Sequence, residues 1–156
     1  MCIICENNYD DNLTELYLNE CKQINEIPIL PNLQYLKCYN TNIKVIPILP
    51  NLQVLDCSYT EIKEILIFNL HRLYCVNTEI KEIPFLPNLR ELWCNNTKIK
   101  EIPILSNLQE LWCDNTKIKE IPILPKLQIL NCINTEIKEI PLLPNLQILS
   151  CRNTEI

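Results

Sequence analysis

Apolar residues recur along this chain with a period of nineteen. Aligned on the dipeptide Asn-Leu, copies begin at Asn32, Asn51, Asn69, Asn88, Asn107, Lys126 and Asn145, with Lys126 replacing the asparagine. The steps between them are 19, 18, 19, 19, 19 and 19 residues, and a more divergent copy of 20 residues begins at Asn12. The consensus reads N-L-Q-x-L-x-C-x-N-T-x-I-K-E-I-P-x-L-P. With the leucine of Asn-Leu as position 1, the apolar positions are 1, 4, 6, 11, 14 and 17. In one copy these are Leu89, Leu92, Cys94, Ile99, Ile102 and Leu105. Positions 4 and 6 alternate with polar neighbours, which predicts a strand. Proline stands at position 15 in nearly every copy and at 18 in most, removing donors and fixing φ. The following segment is therefore no helix of useful length, but an extended or polyproline-like return, or a short 3₁₀ turn.

One such coil cannot bury its own apolar row, so neighbouring coils must stack. Stacking brings equivalent residues to about 4.8 Å from one another, as rungs of a parallel sheet with one face inward. These residues resemble the leucine-rich-repeat family, whose core is L-x-x-L-x-L-x-x-N-x-L. Within it they look most like the short, Pro-containing repeats in the recognition arms of some bacterial effector proteins. The resemblance implies a leucine-rich-repeat solenoid. One strand per repeat would line a concave face, with extended, polyproline or short 3₁₀ segments returning on the convex face. Residues 1–11 then form a lead-in, and residues 12–156 a solenoid of about seven full repeats and a final partial one. Members of the family mostly bind proteins, so the resemblance also implies a protein partner.

The chain departs from the family in one column. The family's buried asparagine falls at position 9, where this chain has Thr41, Thr60, Thr78, Thr97, Thr116, Thr135 and Thr154, with Cys21 in the earliest copy. Asparagine sits one place earlier. A threonine hydroxyl can donate to one backbone carbonyl, so a threonine ladder can serve the turn with fewer bonds. The copy from Asn51 to Phe68 is one residue short and reads Ile65, Leu66, Ile67, Phe68 in place of the proline segment. That shortening is either a local kink or drift after a deletion.

Seven of the ten cysteines (Cys38, Cys57, Cys75, Cys94, Cys113, Cys132 and Cys151) fall at inward position 6. A column of small buried hydrophobes explains them. A straight file in register offers no unique disulfide partner, and it lacks the tetrahedral convergence a metal needs. Cys2 and Cys5 have C-x-x-C spacing without a second pair, a weak signal for metal or thiol chemistry.

Outward strand positions 3 and 5 carry the candidate binding residues. Position 5 reads Tyr17, Lys37, Asp56, Tyr74, Trp93, Trp112, Asn131 and Ser150. Tyr74, Trp93 and Trp112 thus occupy three consecutive rungs and include the only two tryptophans. Arg72, Glu91 and Glu110 accompany them at position 3, and Asn95 and Asp114 at position 7. Large aromatics rimmed by charge make a candidate hot spot, against the simpler reading that the rings only stack and cover the sheet. A second, apolar patch is Ile129, Ile148 and Ile133, which leaves self-association open. The lysine and glutamate columns at positions 12 and 13 read as a solvated face.

Composition narrows the function further. There is no glycine, hence no Gly-rich phosphate loop, and one histidine, His71, beside Arg72. No H-E-x-x-H or G-x-S-x-G motif occurs, and carboxylates recur as ladders rather than as a convergent pair. No enzyme is expected and no cofactor. A net charge of −5 with interspersed signs offers no basic patch for nucleic acid or an anionic membrane. The first residues lack a signal-peptide pattern and no apolar run reaches a membrane span, so a soluble cytoplasmic protein is expected. Repeats run to the last residue, which leaves no room for a ubiquitin-ligase domain such as some of the resembled effectors carry. The competing expectation is a structural protein that assembles through uncapped solenoid ends.

Overall fold

A computed structural model describes residues 4–6 and 9–154. Eight strands, Glu15–Tyr17 (β1), Tyr35–Lys37 (β2), Val54–Asp56 (β3), Arg72–Tyr74 (β4), Glu91–Trp93 (β5), Glu110–Trp112 (β6), Ile129–Asn131 (β7) and Ile148–Ser150 (β8), form one parallel sheet in chain order. Each strand spans positions 3 to 5 of its repeat. The pairing register joins equivalent residues, for example Leu92 with Leu111 and Leu111 with Leu130. The central leucine of β1 to β7 points inward and is buried, while its neighbours point outward.

The return wall is extended. Among the described residues there is no α-helix and no 3₁₀-helix, so the return takes the extended or polyproline-like path, with inward residues at every third position, as in Ile80, Ile83, Leu86 and Leu89. A β-turn closes each regular coil: Leu89 N donates to Leu86 O at 3.1 Å, and Leu108 N to Leu105 O at 2.9 Å. The proline of Pro-Asn sits at the second turn position, where its fixed φ is already correct. The asparagine that follows reaches back one coil. Asn51 Nδ2 donates to Pro31 O at 2.8 Å and Asn107 Nδ2 to Pro87 O at 2.8 Å. These side chains satisfy carbonyls that an extended return leaves without a ladder partner.

Between the two walls lies a single core of stacked columns: leucine at positions 1, 4 and 17, isoleucine at 11 and 14, and cysteine at 6. Ile4, Tyr9, Leu13 and Cys21 are partly buried and pack against this core. Leu130 is fully buried between neighbouring coils, whereas Leu149 on β8 is 44% exposed. One added coil is what separates those two leucines.

The corner after each strand explains the displaced asparagine. Position 8 has a left-handed backbone in all eight copies, with φ between 54° and 62°. Asparagine tolerates that region better than other residues with a Cβ, and it stands there in Asn40, Asn77, Asn96, Asn115, Asn134 and Asn153. The buried threonine that follows turns its hydroxyl back. Thr97 Oγ1 donates to Cys94 O at 2.7 Å and Thr116 Oγ1 to Cys113 O at 2.7 Å. The predicted bond to one backbone carbonyl is therefore made.

The short copy does not kink the sheet. Val54, Leu55 and Asp56 still pair with Arg72, Leu73 and Tyr74. The missing residue is absorbed in the return, where Ile65 and Ile67 are both buried and stand in for positions 14 and 17.

Candidate functional site

Register determines what the outward face of the sheet presents. Because Tyr74 pairs with Trp93 and Trp93 with Trp112, the three rings stand side by side on β4, β5 and β6. Their centroids are 5.1 Å apart for Tyr74 and Trp93, edge to face at 79°, and 5.2 Å apart for Trp93 and Trp112, tilted at 35°. Both spacings fall in the range of favourable aromatic pairs. The rings do cover one another, yet Trp93 remains 37% exposed.

The charged residues of the same rungs line up beside the rings. Arg72 pairs with Glu91 and Glu91 with Glu110 in the register. The Glu91 carboxylate holds two partners: Arg72 Nε lies 3.0 Å from Oε1, and the Tyr74 hydroxyl donates to Oε2 at 2.6 Å. Burial, followed by the hydrogen bond to Glu91, holds the Tyr74 phenol well above its usual range. Tyr74 is thus a neutral donor with a fixed ring. All six residues singled out from the sequence lie in two adjacent columns across three strands.

The next column is a polar network. Asn95 Nδ2 donates to Asp114 Oδ2 at 2.9 Å, and the backbone N–H of Ile133 donates to Asp114 Oδ1 at 2.9 Å. Burial raises the Asp114 pKa, and the bond from Ile133 works against that shift. Among the described residues, the buried Trp112 Nε1, Asn131 Oδ1 and Asn95 Oδ1 have no hydrogen-bond partner within the protein. An orphaned donor and acceptor of this kind are costly unless something supplies the missing bonds.

Sequence reasoning missed a second aromatic step. Tyr17 on β1 and Tyr35 on β2 have centroids 5.5 Å apart, and Lys37 Nζ lies 5.5 Å from the Tyr35 ring centroid. Tyr17 stands at position 5 and Tyr35 at position 3, so the contact is diagonal, and a search down single columns passes over it.

The cysteine file is deeply buried from Cys38 to Cys132. Burial pushes the Cys38 thiol up to about 12 and holds Cys57, Cys75, Cys94 and Cys113 well above the usual thiol range. Such thiols are poor nucleophiles and poor ligands. Of the C-x-x-C pair, Cys2 lies outside the described residues, while Cys5 Sγ is 3.7 Å from Cys21 Sγ, a thiol contact and not a bond. Among the described residues no three His, Cys, Asp or Glu side chains converge on a metal site, and no helix is long and apolar enough to cross a membrane.

Stacked coils with one short strand each, paired in register, define a solenoid repeat protein. A family model described as Leucine Rich repeats (2 copies) matches residues 31–67, 68–107, 87–126 and 106–144, and the chain belongs to the leucine-rich-repeat family. Similar solved structures include a leucine-rich-repeat protein of Leptospira interrogans, 27% identical over 91% of this chain and 41% of that one, with a TM-score of 0.71. YopM from Yersinia enterocolitica is 22% identical over 95% of this chain and 39% of its own, with a TM-score of 0.72. The functional domain of InlJ from Listeria monocytogenes, described as including a cysteine ladder, is 23% identical over 93% of this chain and 44% of its own, with a TM-score of 0.64. The chain spans about two fifths of the length of these solved chains. No curated protein matches the sequence.

Proposed function

We propose that this chain is a non-enzymatic, cytoplasmic module that binds a protein partner through its concave face. The contact centres on Tyr74, Trp93 and Trp112 and is bordered by Arg72, Glu91 and Glu110. Membership of the leucine-rich-repeat family supports the general role. The observation that carries the site is the three-ring row on β4 to β6, next to the partnerless Trp112 Nε1 and Asn131 Oδ1. Rigid aromatics supply contact area at low entropic cost. A partner that shifts Trp112 or Asn131 slightly outward supplies the bonds they lack. The Glu91 carboxylate, already held by Arg72 and Tyr74, keeps the neighbouring surface fixed before binding, which reduces the ordering cost.

The test is the double substitution Trp93→Ala with Trp112→Ala. Affinity capture from the native cell with wild type as bait identifies the partner, and titration of that purified partner measures the loss. Truncating hot-spot aromatics should weaken binding by about 2 kcal/mol or more, with the far-UV circular dichroism unchanged. An unaltered partner set and affinity would refute the assignment.

A further inference from the structure

Position 16 is an apolar column that does not face the core. Ile29, Ile48, Phe85, Ile104, Ile123 and Leu142 occupy it, and each is 63% to 84% exposed. It lies between inward residues at positions 14 and 17, and the three-residue, polyproline-like period of the return turns it outward. In the short coil Leu66 and Phe68 flank buried Ile67 and carry the row across, at 45% and 58% exposed. The result is an unbroken apolar ridge along the return wall, over seven consecutive coils, on the opposite wall from the tryptophans. Soluble proteins commonly expose single apolar side chains, but a contiguous row of this length marks an interaction surface.

We infer that this ridge is a self-association surface, covered by the same ridge of a second copy of the chain. Area supports that occupant. Each exposed side chain offers roughly 100 Å², so seven coils come close to the ~800 Å² that each partner contributes to a standard interface. Period supports it as well. The ridge rises once per coil, and a second copy has the same coil spacing by construction, so the two rows stay in step and meet rung on rung. Charge then sets the arrangement. Along each coil the ridge lies between a glutamate column (Glu64, Glu82, Glu101, Glu120 and Glu139) and the repeat-start asparagines. A dyad parallel to the solenoid axis places the glutamates of one copy opposite the asparagines of the other. A dyad across the axis would set glutamate against glutamate, which costs energy. The parallel dyad also lays each short coil on its counterpart. The glutamate column and the net charge of −5 disfavour an anionic membrane as the alternative cover.

The experiment is sedimentation equilibrium of the 156-residue chain from about 1 to about 100 µM. Wild type should move to twice the chain mass within that range. Ile104→Glu with Ile123→Glu should raise the dimer dissociation constant at least about 100-fold while leaving the circular dichroism unchanged. Should that variant fail to fold, Ile104→Asn with Ile123→Asn serves the same reading. Trp93→Ala with Trp112→Ala should dimerise like wild type, which separates this surface from the concave one. A wild type that stays monomeric at the upper limit overturns the inference, as does a folded glutamate or asparagine variant that dimerises normally. So does a monomeric wild type that floats with phosphatidylcholine vesicles, since lipid would then be the cover.

Discussion

On the sheet wall, position 5 reads Tyr17, Lys37, Asp56, Tyr74, Trp93, Trp112, Asn131 and Ser150; on the return wall, position 16 reads Ile29, Ile48, Phe85, Ile104, Ile123 and Leu142. Both columns point outward, and neither is needed to fill the core. Strand hydrogen bonds hold one wall and the proline-set path holds the other, so the fold leaves both columns free to vary. One uses that freedom and the other does not. A column that changes at nearly every rung distinguishes one rung from the next, which suits an unlike partner docking in one register. A column that exchanges isoleucine, phenylalanine and leucine but stays apolar presents the same surface at every rung, which suits a copy of itself.

The largest expected effect removes both walls at once, because both rest on the thiol file between them. Cys38 is pushed up to about 12 from an ordinary value of 9.0, and burial is the main cause there and along the file. The folded chain keeps thiol protons that the unfolded chain releases above pH 9. The stability tied to these groups is therefore intact below pH 9 and falls as pH rises toward about 12. Each thiol that ionises only on unfolding removes ~1.4 kcal/mol per pH unit, and Cys38, Cys57, Cys75, Cys94 and Cys113 act together. Far-UV circular dichroism should show one cooperative loss of structure in that window, and Cys94→Ala should make it less steep. An unchanged spectrum up to pH 12 would show that the file is not held as described.

Next in size are the two surface variants, which form a crossed pair. The double tryptophan variant should lose the unlike partner and keep the dimer, whereas the double glutamate variant should do the reverse. Loss of both associations from either variant would merge the two walls into one surface.

The two walls were unequally legible in the sequence. A period of nineteen is enough to place Trp93 beside Trp112 and Arg72 beside Glu91, because strand register follows directly from stacking. The return ridge was not legible from the same period. Apolar residues at positions 14, 16 and 17 look like one cluster until the backbone path is known, and a three-residue, polyproline-like period is what keeps 14 and 17 inward and turns 16 away. Proline at 15 and 18 carried that signal, but in the consensus position 16 reads as a spacer. The corner fell between these cases. Asparagine at position 8 stood out as one place early, and its left-handed φ supplies the reason.

That corner joins the two walls, and a smaller effect tests it. Thr97 Oγ1 donates to the Cys94 carbonyl in a buried turn. Thr97→Val keeps the shape and removes the donor, which should cost about 1–2 kcal/mol in urea unfolding. Thr97→Ser should recover most of it. Partner binding and dimerisation of the folded variant should both persist, since the hydroxyl faces neither wall.

The smallest effect has the opposite sign. Tyr59 occupies position 8 with φ of 57°, where six other copies have asparagine. A bulky residue in the left-handed region carries a steric penalty that asparagine partly avoids. Its side chain is exposed, so little packing is lost on replacement. Tyr59→Asn should therefore stabilise the chain by about 1 kcal/mol, raising the urea midpoint with no change in slope. A lower midpoint would mean that the exposed ring contributes contacts worth more than the strain, and that the corner is more than a backbone device linking the two walls. A higher midpoint with both associations intact would place the strain in the joint alone and leave the variable and the uniform columns independent of it.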